Sequence, residues 1–283
     1  VVWVAQRIPD DAICAHANQS RIGRFNMKDR KNVLYSKNVI SFARSKGWFK
    51  GHDDEFNWKM TYARPDFGGR RFCDARVWAF FNRFADGFSR YLPWAEGLDP
   101  NAEDMPLWIV PKHKLSVQDV QTAMRDHYEG TPLATDTLDI GGGIWQMPYR
   151  PSPLVYKVDG KAYFNERPVS TQQTTFSYVS EMRSWLPREI GGVLWFGNDD
   201  GNTVRPECYN TPGADALTFS MKNAFWVCNW VSNMVYPRYS QMFPSLKAVR
   251  DSLEQSYFAQ QAEIEKEACR RYATDKAAAL RQL

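Results

Sequence analysis

Short apolar runs broken by turn formers stand at both ends of the first 200 residues, with stretches of helical spacing between them, and beyond residue 219 the spacing is helical. Val1–Ala5 is apolar and β-prone, Arg7–Asp11 reads as a turn, and Ala12–Ala17 returns as a second strand ending at Asn18-Gln19, a hairpin pattern. Asn38–Lys46 predicts a short helix closed by Gly47, and Phe56–Ala63 a strand. In Cys73–Tyr91 the aromatics Trp78, Phe80, Phe81, Phe84, Phe88 and Tyr91 follow an amphipathic helical spacing, with Pro93 as the stop. Ser116, with Asp119 near the box position, caps a helix running to about Asp126.

Leu154–Val158 and Ala162–Asn165 flank Asp159-Gly160, a strong hairpin turn. Val169–Met182 has strand composition, and Val193–Phe196, bounded by turn residues, reads as a buried strand. Phe219–Tyr236 predicts a buried helix, with Trp226 and Trp230 one turn apart and Pro237 at its end. Phe243–Leu283 is helical throughout, with Leu246, Val249, Leu253 and Tyr257 on one stripe and Glu267–Arg271 as a favourable pair. Hairpins followed by long helices, without regular strand–helix alternation, place the chain in the α+β class.

Composition narrows the function classes. Hydrophobic residues at 43% and aromatics at 14% suffice for a sizeable core. The net charge, 36 − 32 = +4, is mild and scattered, which argues against a nucleic-acid partner. Five cysteines, odd in number and without a C-x-x-C pair, support neither a zinc ribbon nor a disulfide scaffold, and disulfide pairing stays open. No apolar run reaches the length of a membrane span. The eleven tryptophans serve core packing first, with an aromatic-lined ligand pocket as the other reading.

Several residues carry candidate chemistry. Asn18 ends a strand, where Asn is commonly a turn former. The contiguous His52, Asp53, Asp54 and Glu55 invite a metal reading, but their spacing fits a solvated acidic loop better, and no metal or cofactor is expected. His127 lies near a helix end, where a histidine is commonly structural. Gly141-Gly142-Gly143 lacks the Lys-Ser/Thr of a phosphate loop and reads as a flexible loop. Ser170–Thr175 is six consecutive hydrogen-bonding side chains. Either they line an exposed strand face, or they form a polar patch on a central sheet that holds a polar substrate.

The strings WVAQRIPDD, HANQSRI, DHYEGTPLATD, NERPVSTQQT, MRSWLP, GGVLWFGNDD and KNAFWVCNWVSNMVYPRY resemble the cysteine dipeptidase family, the PepD-type and secernin-like branch of the N-terminal-nucleophile (Ntn) hydrolases. They occur in the family's order from near residue 2 to roughly residue 260. The resemblance implies an αββα fold, two stacked antiparallel sheets between helical layers, with long C-terminal helices. Residues 1–240 would be the latter part of that domain, with an inserted helical region near 40–130, and 241–283 a C-terminal helical segment that packs across the body or mediates homo-oligomer formation.

The family's nucleophile is a cysteine at the mature N-terminus, whose own α-amino group, with an unperturbed pKa of about 8, serves as base. None of the five cysteines stands there, so the nucleophile is expected in an N-terminal part of the same protein, and a polypeptide of this sequence alone is expected to be inactive. The resemblance implies that Asn18 binds the oxyanion and that Gln19, His127, Glu129, Arg150, Thr171 and Gln172 contact a small peptide. A dipeptidase must recognise a free ammonium, for which Glu129 or Asp136 is a natural partner, and Arg150 could pair with a substrate carboxylate. The alternatives are a related amidase acting on N-acyl, bile-salt-like or β-lactam substrates, and a non-catalytic module binding glycans or peptides. An exported or periplasmic protein is preferred over a cytoplasmic one.

Overall fold

The computed structural model describes residues 1–136, 142–148, 155–164, 167–171, 173–198 and 217–281. The chain divides into two units, Val1–Leu115 and Ser116–Leu283. Both mix helices with small antiparallel sheets, as the α+β class requires.

In the first unit, β1 (Val4–Gln6) pairs with β3 (Val33–Tyr35), and β2 (Ile13–Cys14) pairs with β4 (Trp108–Ile109). The expected hairpin between Val1–Ala5 and Ala12–Ala17 therefore does not form. The connection from Arg7 to Ala12 exceeds a tight two-residue turn, and Arg7 N–H instead donates to Asn32 O at 2.7 Å, extending the β1–β3 ladder. Helix α1 (Val39–Ser45) is as expected, with Gly47 following at φ 69°. Its Val39, Ile40 and Ala43 are buried with Phe56, against Phe25, Phe49, Trp58 and Tyr62.

Phe56–Ala63 is not a strand. Asn57 caps α2 (Trp58–Tyr62), its Oδ1 accepting from Met60 N at 3.0 Å, and this local cap overrides the β-prone aromatics. The helix expected over Cys73–Tyr91 is broken into pieces. A π-turn, Gly69–Asp74, leads into α3 (Ala75–Phe84). Gly87, at φ 66°, then opens a 3₁₀ turn, Phe88–Tyr91, before α4 (Leu92–Glu96). Pro93 starts α4 rather than ending its predecessor, because its missing N–H falls among donors that have no helical partner anyway. Trp78, Phe81, Phe84 and Trp94 are buried here.

A cluster of four charged residues is set into this apolar packing. The Asp74 carboxylate, 0% exposed, accepts from Lys59 Nζ at 3.1 Å, Trp94 Nε1 at 2.8 Å and Arg21 Nη1 at 3.4 Å. Lys59, 1% exposed, also reaches both oxygens of Asp104 at 2.9 Å. Arg21 Nη2 donates to Pro106 O at 2.7 Å and Met105 O at 3.3 Å. Two cations thus face two carboxylates, Asp74 wholly buried and Asp104 partly open to solvent.

In the second unit, α5 (Val117–Met124) starts at the expected box: Ser116 Oγ accepts from Asp119 N at 3.1 Å, and Ser116 N–H donates to Asp119 Oδ2 at 2.8 Å. β5 (Val155–Val158) and β6 (Lys161–Phe164) form the expected hairpin, with Asp159 at φ 49° and Gly160 at φ 77° as a primed turn needs.

Among the described residues of the strand read over Val169–Met182, β7 (Phe176–Met182) forms; it pairs with β8 (Gly192–Asn198). β8 is not buried on both faces. Trp195 is buried against Phe258, with ring centroids 4.3 Å apart, whereas Leu194 is exposed. α6 (Ala224–Val235) buries Cys228, Ser232 and Val235 but leaves Trp230 and Met234 half exposed, so it is less covered than its composition suggested. Pro237 lies in a 3₁₀ turn that continues into α7 (Tyr239–Tyr272), followed by α8 (Lys276–Leu280).

α7 is tied to the rest of its unit by ion pairs. Arg125 Nη1 donates to Glu254 Oε2 at 3.1 Å, and Arg183 lies 2.5 Å from Glu265. Glu189, between β7 and β8, accepts from Tyr272 Oη at 2.9 Å and Lys276 Nζ at 2.5 Å, and these bonds lower its pKa to about 2.

Asp74→Asn should lower the stability of the first unit by about 3–5 kcal/mol, the cost of stranding a buried charge. Urea denaturation measures it, and a loss below about 1 kcal/mol would show that the cluster is not a buried ionic unit.

Candidate functional site

Asn18 and Gln19 lie on the turn after β2, in the first unit. Asn18 has a left-handed backbone, φ 57°, which Asn tolerates better than most residues, and its side chain is exposed. Its Oδ1 accepts from Arg76 Nη2 at 2.7 Å. Arg76 is on α3, where its Nε also donates to Phe72 O at 2.8 Å. Gln19 is half-buried and donates through Nε2 to Ala63 O. A Cβ on Gly69 would stand 3.1 Å from Gln19 Oε1, so a glycine lets the π-turn approach this amide closely.

Three residues beyond Asn18, Arg21 enters the Asp74 cluster. Asp74 is two residues before Arg76. The buried ion pairs therefore fix the Asn18 turn and the start of α3 against each other. Sequence reasoning passed over Arg76 and the cluster. The available signal was Asp74 itself, the one carboxylate in the aromatic-rich stretch Phe72–Phe84.

His127, Glu129 and Thr171 lie in the second unit; His127 and Glu129 are in direct contact, and Thr171 follows Ser170, whose N–H donates to Asp126 O. His127 is 0% exposed at its side chain, and its Nδ1 is 2.9 Å from Glu129 Oε1, while its backbone N–H donates to Glu129 Oε2 at 2.8 Å. Burial raises the proton affinity of the Glu129 carboxyl, but the hydrogen bonds and charge of His127 outweigh it, leaving the pKa below the usual carboxylate range. The rings of Tyr236 and Tyr239 lie 6.4 and 6.5 Å from the imidazole.

Between His127 and Glu129, buried Tyr128 takes φ 68°, a strained conformation for a bulky side chain that costs on the order of 1–3 kcal/mol. Its surroundings hold it there: Tyr128 N–H donates to Asp126 Oδ1 at 2.7 Å and its hydroxyl to Arg167 O at 2.8 Å. Ser170 N–H donates to Asp126 O at 3.1 Å, which docks the 167–171 stretch on the same turn.

Thr171 does not stand on a strand face. Thr171 N–H donates to Thr174 Oγ1 at 3.1 Å, and Thr171 Oγ1 accepts from Gln173 N at 2.9 Å. The hydroxyls thus fold the segment into a turn before β7, offering the backbone an alternative to a sheet ladder. Ser170 is fully buried and its Oγ has no hydrogen-bond partner among the described residues. Arg150, Gln172 and Gly141 lie outside the described residues. Gly142 precedes a 3₁₀ turn, Gly143–Trp145, and a Cβ on it would stand 2.0 Å from Asp136 O. Asp53–Glu55 is an exposed 3₁₀ turn, with Asp53 paired to Arg44 at 2.8 Å.

The profile of Peptidase family C69 matches residues 1–252. The chain belongs to this family, a family of cysteine dipeptidases. It is 27% identical to a "Probable dipeptidase" of Salmonella dublin over 194 residues, covering 68% of this chain and 38% of that protein. It is 24% identical to "Dipeptidase A" of Lactobacillus helveticus over 273 residues, covering 94% and 51%. With "Probable dipeptidase B" of Lactococcus lactis the identity is 23% over 292 residues, covering 99% and 55%. The chain spans about half the length of the curated relatives it matches.

The Glu129 shift gives a pH test. Its folded pKa lies below the unfolded one, so its contribution to stability is present above the unfolded value and is lost as pH falls through the folded one. Wild type should therefore be more stable than Glu129→Gln at neutral pH, with the gap closing in acid below the usual carboxylate range; thermal unfolding of both proteins across pH measures it. A gap independent of pH would show that ionised Glu129 is not what holds the turn.

Proposed function

We propose that this protein is a cysteine-type dipeptidase of the Ntn-hydrolase kind, hydrolysing the amide bond of small peptides. Membership of Peptidase family C69 carries this reading, and the named relatives are dipeptidases. A cysteine at the mature N-terminus attacks the scissile carbonyl with its α-amino group as base, and the carbonyl oxygen becomes an anion. Asn18 donates its amide N–H₂ to that anion. Its support is local: the side chain is exposed, and its oxygen already accepts from Arg76 on α3. Preorganised donors of this kind contribute about 3–4 kcal/mol to a barrier.

Substrate-binding roles go to Gln19, His127, Glu129, Thr171, Arg150 and Gln172. Because His127 is wholly buried, it serves by holding Glu129, whose half-exposed carboxylate suits the substrate ammonium. On this reading the domain is an αββα sandwich over residues 1–240, followed by a helical segment at 241–283, and no cofactor is needed. Among the described residues no helix is long and apolar enough to cross a membrane. The protein acts outside the cytoplasm on this proposal.

Two experiments test it. Dipeptides with a free amine should be cleaved at least about tenfold more efficiently than their N-acylated counterparts, consistent with loss of one ammonium–carboxylate hydrogen-bonded pair; a preference for N-acyl substrates would assign a penicillin- or bile-salt-amidase type of activity instead. Asn18→Ala should lower turnover by about a hundredfold or more with the fold intact. An unchanged turnover number would remove Asn18 from the mechanism.

A further inference from the structure

We infer that Arg76 is a positioning residue, which sets the direction of the Asn18 amide and so decides whether that side chain can stabilise an anion at all. The inference rests on the proposed role of Asn18.

A primary amide has two faces of opposite character. One offers a carbonyl oxygen, which would repel a developing oxyanion; the other offers two N–H groups, which would stabilise it. A half-turn about the last side-chain torsion exchanges them, and that torsion is soft. An exposed asparagine on a turn thus has little of its own to choose between a useful and a harmful orientation. The guanidinium makes the choice, because it has donors only and no acceptor. The atom of Asn18 lying 2.7 Å from Arg76 Nη2 is therefore the oxygen, and the N–H₂ faces the other way.

Arg76 is itself held. Its Nε donates to Phe72 O at 2.8 Å, one turn earlier, so the planar fork is fixed at one end before it reaches Asn18. Its partner cannot slide either, since the Asn18 backbone is in the left-handed region and both segments are anchored through Asp74, which Arg21 reaches from the Asn18 side. The neighbouring amide of Gln19 is turned towards the chain, donating one of its N–H groups to Ala63 O. On this inference Arg76 acts through Asn18, the group its Nη2 holds.

The test is a double-mutant cycle in the full-length enzyme with a dipeptide substrate. Arg76→Ala should lower kcat by about 10- to 100-fold, the size of effect that misplacing a catalytic group produces, and leave KM within about twofold. Arg76→Lys, which keeps a donor, should recover part of the loss. Because both residues act as one unit, Asn18→Ala/Arg76→Ala should be no slower than Asn18→Ala alone, within about twofold. Losses that multiply in the double variant overturn the inference while leaving Asn18 in its role. Normal turnover of Asn18→Ala overturns both.

A readout independent of turnover uses the 283-residue chain with ¹⁵N-labelled asparagine. The Asn18 side-chain ¹⁵N relaxation should report a rigid amide in the wild type and in Arg76→Lys, and a mobile one in Arg76→Ala, because the soft Cβ–Cγ torsion is then released. An Asn18 pair unmoved by Arg76→Ala also overturns the inference, and matching thermal unfolding of the variants shows that the fold is retained.

Discussion

The arrangement of the first unit depends on removing one carboxylate, that of Asp74, wholly from water. A buried carboxylate without partners would cost several kcal/mol, and Asp74 is tolerable because three donors converge on it. Those donors come from widely separated parts of the sequence: Arg21 after β2, Lys59 on α2 and Trp94 on α4. Lys59 also lies 4.8 Å from the centre of the Trp94 ring, and Arg70 lies 3.9 Å from it, so the indole is bracketed by cations. Apolar packing could be satisfied by many arrangements of such short helices. An ionic cluster with fixed hydrogen-bond directions selects among them, because any other register strands a charge.

That selection links folding to the chemistry proposed for Asn18. The turn carrying Asn18 and Gln19 is bound to the cluster through Arg21, and α3 carries Arg76 two residues after Asp74. An exposed amide on an otherwise weakly held turn thereby acquires a defined direction. The second unit uses a different device for a similar end. There a strained Tyr128 backbone, braced by Asp126 and Arg167, places Glu129 beside a buried imidazole that keeps its carboxyl ionised. In both places a group that faces solvent is oriented by a less exposed neighbour.

Local signals in the sequence were legible where local physics decides the outcome. The Ser116 box, the Asp159-Gly160 turn and the closing Gly47 were readable, because each is settled by a few neighbouring atoms. The pairing of β1 and β2 was not, since strand partners are chosen by tertiary contacts that periodicity does not encode. Asn57 turned an aromatic run into a helix through a single cap, and the hydroxyls of Thr171 and Thr174 turned a strand-like composition into a turn. For the candidate site, the motif strings pointed to Asn18, His127, Glu129 and Thr171. They said nothing of Arg76, whose role depends on a neighbour 58 residues away.

The most direct measurement is a structure of the full-length protein carrying a dipeptide analogue, such as a peptide aldehyde, trapped as a tetrahedral adduct on its nucleophile. The account requires Asn18 Nδ2 at about 2.7–3.1 Å from the adduct oxygen, with Oδ1 still on Arg76. An adduct oxygen held entirely by other donors, with Asn18 out of reach, would contradict it.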